Sequence, residues 1–140
     1  MRRLLALGSI VALLACADST SPPPFPAVAG TYRMNITFSD FPPSIVNATG
    51  TITIVQASRN APELTGSANI AVFSGSTVTI TQLTNASVTE SGQIRFQLPP
   101  PNTSSTWGFD GTVTGSGMTG THILIGSTSS FAGTFTATRQ

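Results

Sequence analysis

The nine residues GTYRMNITF, from Gly30 to Phe38, alternate apolar and polar side chains. Tyr32, Met34 and Ile36 occupy one phase of the alternation, and arginine, asparagine and threonine occupy the other. A period of two is the pattern of a β-strand that buries one of its faces. This stretch therefore predicts an amphipathic strand packed against a core.

Similar alternation recurs along the chain between glycine-rich or proline-rich breaks. It predicts further strands around Ile52 and Ile54 and at Leu64–Phe73, Thr77–Leu83, Gln93–Leu98, Ser105–Thr114, Met118–Ile125 and Ser130–Arg139. Residues Ala86–Glu90 are predicted either as an extension or as an extra edge strand. No stretch longer than the N-terminal apolar run shows a helical apolar stripe. The prediction is an all-β, antiparallel up-and-down meander of about eight strands.

A meander of this length either closes into a barrel or folds into a two-sheet sandwich. Charged residues make up only 8% of the chain, and lysine is absent. Exposed edge strands would therefore lack the charges that usually prevent pairing with other chains. Closure would remove those edges by pairing Gly30–Phe38 with Ser130–Arg139. A barrel is favoured, and a β-sandwich remains the alternative.

The N-terminus begins with Arg2 and Arg3, followed by an apolar run from Leu4 to Ala15. This run is too short for a membrane-spanning helix, which needs about 20 apolar residues. A charged start followed by a short apolar run is typical of a secretory signal peptide. The run ends in Leu13-Leu14-Ala15-Cys16.

Those four residues resemble the bacterial lipobox, with a branched apolar residue three before the cysteine and a small residue just before it. The resemblance implies that Cys16 carries a diacylglyceryl thioether and becomes the first residue of the mature protein. We expect an exported protein that is lipid-anchored to the cell envelope. Ala17, rather than aspartate, follows the cysteine, which favours the outer membrane if the host is Gram-negative.

The chain divides into three parts on this interpretation. Residues 1–15 are the signal peptide, and residues 16–29 are the lipidated Cys16 with a tether that includes Pro22, Pro23, Pro24 and Pro26. Residues 30–140 form a single β-domain, since their number suits one core and not two.

Gly30-Thr31-Tyr32 opens the first predicted strand, and Arg139 ends the last one. This arrangement resembles the small calycin-type barrels, the lipocalins and avidins, in which Gly-x-Trp begins strand one. In lipocalins a late arginine packs over that tryptophan. Tyr32 stands in its place here. The resemblance implies a barrel with one end open to a small apolar ligand, and Tyr32 lying close to Arg139.

Composition argues against several functions. Without its signal peptide the chain keeps four arginines against five carboxylates, too few cations to neutralise nucleic-acid phosphates. Cys16 is the only cysteine, so a disulfide framework is excluded. His122 is the only histidine, and no ligand spacing or nucleophile motif accompanies it. We expect no enzyme activity, metal or cofactor.

The remaining candidates are aromatic. Trp107 and Phe109 share one face of a predicted strand, either as ordinary core or as a wall on which a ligand stacks. If the glycine phase of the neighbouring strands points inward, His122 enters the interior as its one titratable group. With Tyr32, these residues form the predicted ligand contacts. The predicted function is a non-enzymatic lipoprotein whose barrel binds an apolar or amphipathic ligand or an envelope protein. The alternative is a structural or adhesive β-sandwich without a pocket.

Overall fold

A computed structural model describes residues 24–39, 47–72, 76–101 and 104–140, and these fold as an all-β domain. Their nine strands are β1 (Gly30–Phe38), β2 (Asn47–Val55), β3 (Thr65–Val72), β4 (Ser76–Ile80), β5 (Thr84–Val88), β6 (Gln93–Leu98), β7 (Thr106–Thr114), β8 (Gly117–Ile125) and β9 (Ser130–Arg139). The strand beyond the eight predicted is β5, which overlaps the stretch expected to be an extension or an extra edge strand. No helix long and apolar enough to span a membrane occurs in the described part of the chain.

All nine strands belong to one antiparallel sheet in the order β4-β3-β2-β1-β9-β8-β7-β6-β5. Consecutive strands are neighbours in the sheet except β4 and β5, and the sheet is continuous because β1 pairs with β9. In that pairing Tyr32 lies opposite Arg139 and Phe38 lies opposite Gly133. The predicted up-and-down meander, with its first and last strands hydrogen-bonded, is confirmed.

The two end strands of the sheet, β4 and β5, follow each other in the chain. One pairs with β3, and the other bonds to the residues just before β3. β4 pairs with β3. The residues that lead into β3 bond to β5 instead, through Leu64 N to Ala86 O and Val88 N to Pro62 O, each 2.9 Å. The sheet thus curls round until β5 meets the residues before β3 along a short seam. The structure therefore shows one sheet curled into a half-barrel, rather than two packed sheets.

A bulge lies at this seam, where the register of β5 against β6 shifts between Thr84 and Ser87. Asn85, inside the bulge, has φ 47°, a left-handed conformation that asparagine tolerates better than most residues. Its side-chain amide donates to Gln97 Oε1 at 2.7 Å. A bulge bends its strand. The break between β4 and β5 lies before the bulge, at residues 81–83.

The interior is filled by the apolar phase of every strand. Its largest fully buried side chains are Phe96, Phe109, Phe135, Met34, Ile36, Ile52, Ile54, Ile70, Ile94 and Leu98. Burial of each such side chain contributes roughly 1.5–3 kcal/mol, so this layer dominates the stability of the fold. The opposite phase is rich in threonine and faces solvent.

The end of the barrel at which β1 begins is covered by the residues that precede it. Val28 is fully buried and Phe25 packs against the core. Tyr32 donates its hydroxyl to Val28 O at 2.7 Å, and Arg139 Nη2 donates to Ala29 O at 2.6 Å. The packed domain therefore starts before Gly30. The predicted signal peptide, Cys16 and the first part of the tether lie outside the described residues.

Candidate functional site

Four rings meet near the end of the barrel at which β1 finishes, and we call Phe38, Trp107, Phe109 and His122 the ring cluster. Trp107 and Phe109 alternate inward along β7, and Phe109 lies opposite His122 on β8. Ring centroids are 4.7 Å apart for Phe38 and His122 and 5.4 Å for Trp107 and Phe109. All four residues are buried. The inward phase predicted for Trp107, Phe109 and His122 is what the structure has.

His122 is held by a hydrogen bond at each ring nitrogen. Trp107 Nε1 donates to His122 Nδ1 at 3.0 Å, and His122 Nε2 lies 3.1 Å from the backbone oxygen of Thr37. An indole N–H can only donate and a carbonyl can only accept. Both bonds are therefore satisfied by neutral imidazole with its proton on Nε2, the tautomer that this network assigns.

Gly133 makes room for this arrangement. It lies on β9, between His122 and β1, and pairs with both. A Cβ atom at Gly133 would lie 1.8 Å from Thr37 O and 2.7 Å from His122 Nε2. The imidazole therefore reaches across β9 to Thr37 only because position 133 has no side chain.

The environment of His122 disfavours its charged form. Burial lowers the pKa of His122, and the hydrogen bond to Thr37 opposes this shift. Only 3% of the residue is exposed, with aromatic rings around it. A buried imidazole without a counter-ion in contact stays neutral, since desolvation penalises the cation. His122 is thus a neutral hydrogen-bonding group at neutral pH.

Tyr32 lies apart from the ring cluster, at the covered end of the barrel. Its hydroxyl is committed to Val28 O, and Arg139 lies over its ring with Cζ 5.4 Å from the centroid. The contact between Tyr32 and Arg139 is the one that the resemblance to calycin-type barrels implied. Three of the four predicted ligand contacts are thus brought together, and Tyr32 instead helps to close the other end.

A groove of about 420 Å³ lies on the outer side of the sheet above His122. Its lining residues come from β1, β7, β8 and β9 or directly follow β1: Thr37, Ser39, Gly108, Asp110, Thr121, His122, Ile123, Ala132, Gly133 and Thr134. One cross-strand row places Gly108 and Ala132 on either side of Ile123, which is 42% exposed. Two small neighbours beside a large one leave the depression.

The rim of the groove is mostly uncharged. Asp110 is ion-paired with Arg95 of β6, with Nε 2.7 Å from Oδ1. Thr37, Thr121 and Thr134 add hydroxyl groups. The groove thus offers small apolar surfaces, hydroxyls and one paired carboxylate. The groove was not predicted from the sequence, because most of its lining side chains face outward, away from the aromatic residues that mark the interior. The available signal was the pair of small residues, Gly108 and Ala132, at outward positions.

Comparison with known proteins adds information about the fold. No family model and no curated protein matches this sequence. Among solved structures, the chain is similar to that described as EF1p2_mFAP2b bound to DFHBI, with a TM-score of 0.63 and 13% identity. The match covers 80% of this chain and 93% of that one. At this identity the likeness concerns the fold.

Proposed function

We propose that this protein is an exported, non-enzymatic lipoprotein, anchored to the cell envelope through Cys16, whose barrel-like domain binds a small apolar or amphipathic molecule. The observation that carries the binding proposal is the groove above His122. It has the size of a small-molecule site, for which about 300–1,000 Å³ is usual. Its mixed lining suits a ligand with both an apolar face and hydrogen-bonding groups.

The wall beneath the groove is held by hydrogen bonds and ring packing, which favours binding. His122 is fixed from the inside by Trp107 and from the side by Thr37. Phe109 packs on Phe96 with centroids 4.9 Å apart, so the inner surface is supported by further rings. A site whose shape is set before the ligand arrives loses less entropy on binding.

The similar solved structure also supports the proposal. EF1p2_mFAP2b is bound to DFHBI, so a barrel of comparable fold can hold a small molecule. We therefore choose DFHBI as the first probe. The partners that we propose for this chain are the membrane, through the lipid on Cys16, and such a ligand. An envelope protein is the other partner that the sequence predicts.

Filling the groove tests the proposal. A Cβ at Gly108 would meet Ile123 Cγ2 at 3.7 Å, an ordinary contact, so Gly108→Phe places a ring in the groove without strain at its base. Gly115 lies in the turn between β7 and β8, where a Cβ meets nothing within 4 Å, so Gly115→Phe is the matched control. We expect native mass spectrometry to detect DFHBI on the wild type and on Gly115→Phe, with binding at least about tenfold weaker for Gly108→Phe.

Equal binding by both variants would show that the groove is not the site. Absence of binding by all three proteins, together with extraction of no other small molecule from the purified wild type, would favour a structural or adhesive role.

A further inference from the structure

The geometry points to His122 as a proton-sensitive latch on the groove, which retains its ligand at neutral pH and releases it on acidification. This inference rests on the proposed binding function, because it concerns the regulation of the same site. It begins from the two hydrogen bonds of His122, which only the neutral imidazole can make.

Protonation of His122 creates a conflict inside the ring cluster. The imidazole takes one proton from solvent at Nδ1 and becomes imidazolium. Its new N–H then faces the indole N–H of Trp107 across the present 3.0 Å contact, and neither can accept. The bond to Thr37 can persist, but the bond to Trp107 cannot. The cation must therefore rotate away from Trp107.

The groove lies on the side of His122 that is nearest to solvent. His122 forms part of its floor, beside Gly133. The other sides of the ring are occupied by Phe38, Trp107 and Phe109. An imidazolium that moves away from Trp107 disturbs this floor and places a positive charge beneath an apolar ligand. Protonation of His122 thus weakens the binding of that ligand.

Among the charged groups of the surrounding strands, one carboxylate lies on the groove side of His122. Asp110 on β7 lines the same groove and offers a carboxylate, one oxygen of which already accepts from Arg95 on β6. The described charged residues of β1 and β9 are Arg33 and Arg139. Both lie toward the far end of the barrel, where Arg33 is opposite Thr138 and Arg139 is opposite Tyr32. β8 carries His122 as its own titratable group. Asp110 is therefore the counter-charge on the groove side of the imidazolium.

The test compares DFHBI binding by the full-length wild type and His122→Gln between pH 8 and pH 4.5. Glutamine can accept from Trp107 and donate to Thr37, so this variant imitates the neutral state at every pH. Any titration of DFHBI itself affects both proteins equally. We expect the ratio of wild-type to variant affinity to fall on acidification by up to about tenfold per pH unit, the limit for one coupled proton. A constant ratio, with groove-dependent binding at neutral pH, overturns the latch and leaves the proposed function standing.

A ligand-free measurement keeps the inference testable if DFHBI does not bind or if His122→Gln does not fold. The single tryptophan and single histidine make the two side chains unambiguous in NMR spectra of the wild type. We expect the Trp107 indole N–H resonance to shift along the same pH curve as the His122 ring. A Trp107 resonance that stays constant while His122 titrates overturns the latch, whatever the probe does.

Discussion

Gly133 and Gly108 show how two glycines in one sheet can differ in what they permit. Gly133 faces inward, and its missing Cβ is the space in which Thr37 O and His122 Nε2 meet. Gly108 faces outward beside Ile123 and has room for a side chain. The alternation of the strands, rather than the residue type, decides which of them is essential.

We predict that Gly133→Ala lowers the free energy of unfolding by at least about 2 kcal/mol, because a methyl group would displace backbone and not only a flexible side chain. Gly108→Ala should change it by less than about 1 kcal/mol. Urea unfolding followed by Trp107 fluorescence measures both. Similar losses for the two variants would mean that His122 does not reach Thr37 across Gly133.

His122 also predicts how stability depends on pH. Its folded-state pKa lies below the unfolded value of about 6.5, so the unfolded chain binds more protons in the interval between them. Stability should therefore be full above about pH 6.5 and fall as the pH drops through that value toward the folded pKa. Carboxylates titrate in the wild type and in His122→Gln alike, so the difference between their unfolding curves isolates His122. A difference that does not vary with pH would contradict the buried neutral imidazole.

The period of two predicted that Trp107 and Phe109 share a face, and it placed His122 inside only if the glycine phase of the neighbouring strands points inward, which the structure shows. It could not predict their partners. The bond between His122 and Thr37 joins residues 85 positions apart, and the register that brings them together is set by the pairing of β8, β9 and β1. The groove depends on the same register.

At the scale of elements, β9 is the strand on which the sheet depends most. It lies between β1 and β8, and both of its edges are hydrogen-bonded to these neighbours. Its last residue, Arg139, also donates to Ala29 O and to the hydroxyl of Tyr32 at 3.1 Å. Alternation and glycine breaks predicted the bounds of this strand well. For β5 they left open an extension or an extra edge strand, and it is the pairing with β6 and with the residues before β3 that makes it a separate strand.

We predict that deletion of Ser130–Gln140 abolishes cooperative unfolding or causes aggregation, since it uncovers the edges of β1 and β8 together. Deletion of Gln140 alone is the control, because it removes one backbone bond to Thr31 and no strand. Size-exclusion chromatography and circular dichroism are the measurements. A monomeric truncated chain with an intact cooperative transition would contradict the central position of β9.

Arg139 offers a milder change in the same element. Arg139→Lys keeps the charge but loses the planar group that contacts Ala29 O, Tyr32 Oη and the Tyr32 ring. We predict a loss of about 1 kcal/mol in unfolding free energy. When Tyr32→Phe is added to Arg139→Lys, the further loss should be smaller than the loss that Tyr32→Phe causes alone. Fully additive losses in this double-mutant cycle would show that the two side chains do not act together.

At the scale of the molecule, the anchor and the barrel are separate proposals with separate tests. The lipobox-like residues Leu13–Cys16 predict that the wild type incorporates labelled palmitate and that Cys16→Ser does not, because the thioether requires the thiol. Cys16→Ser should also leave the membrane fraction. Ser19→Ala, just beyond the cysteine, is the control and should behave as the wild type. An unlabelled wild type would remove the lipoprotein proposal and leave the binding proposal untouched.

The central claim is that a small molecule binds in the groove above His122, and mapping the binding site by NMR tests it most directly. We predict that titration of the isotopically labelled protein with DFHBI shifts the amide resonances of Gly108, Thr121 and Thr134 and the indole resonance of Trp107. Resonances at the covered end, around Gly30 and Leu64, should stay in place. Shifts confined to that end, or no shifts at saturating DFHBI while the fold remains intact, would contradict the claim.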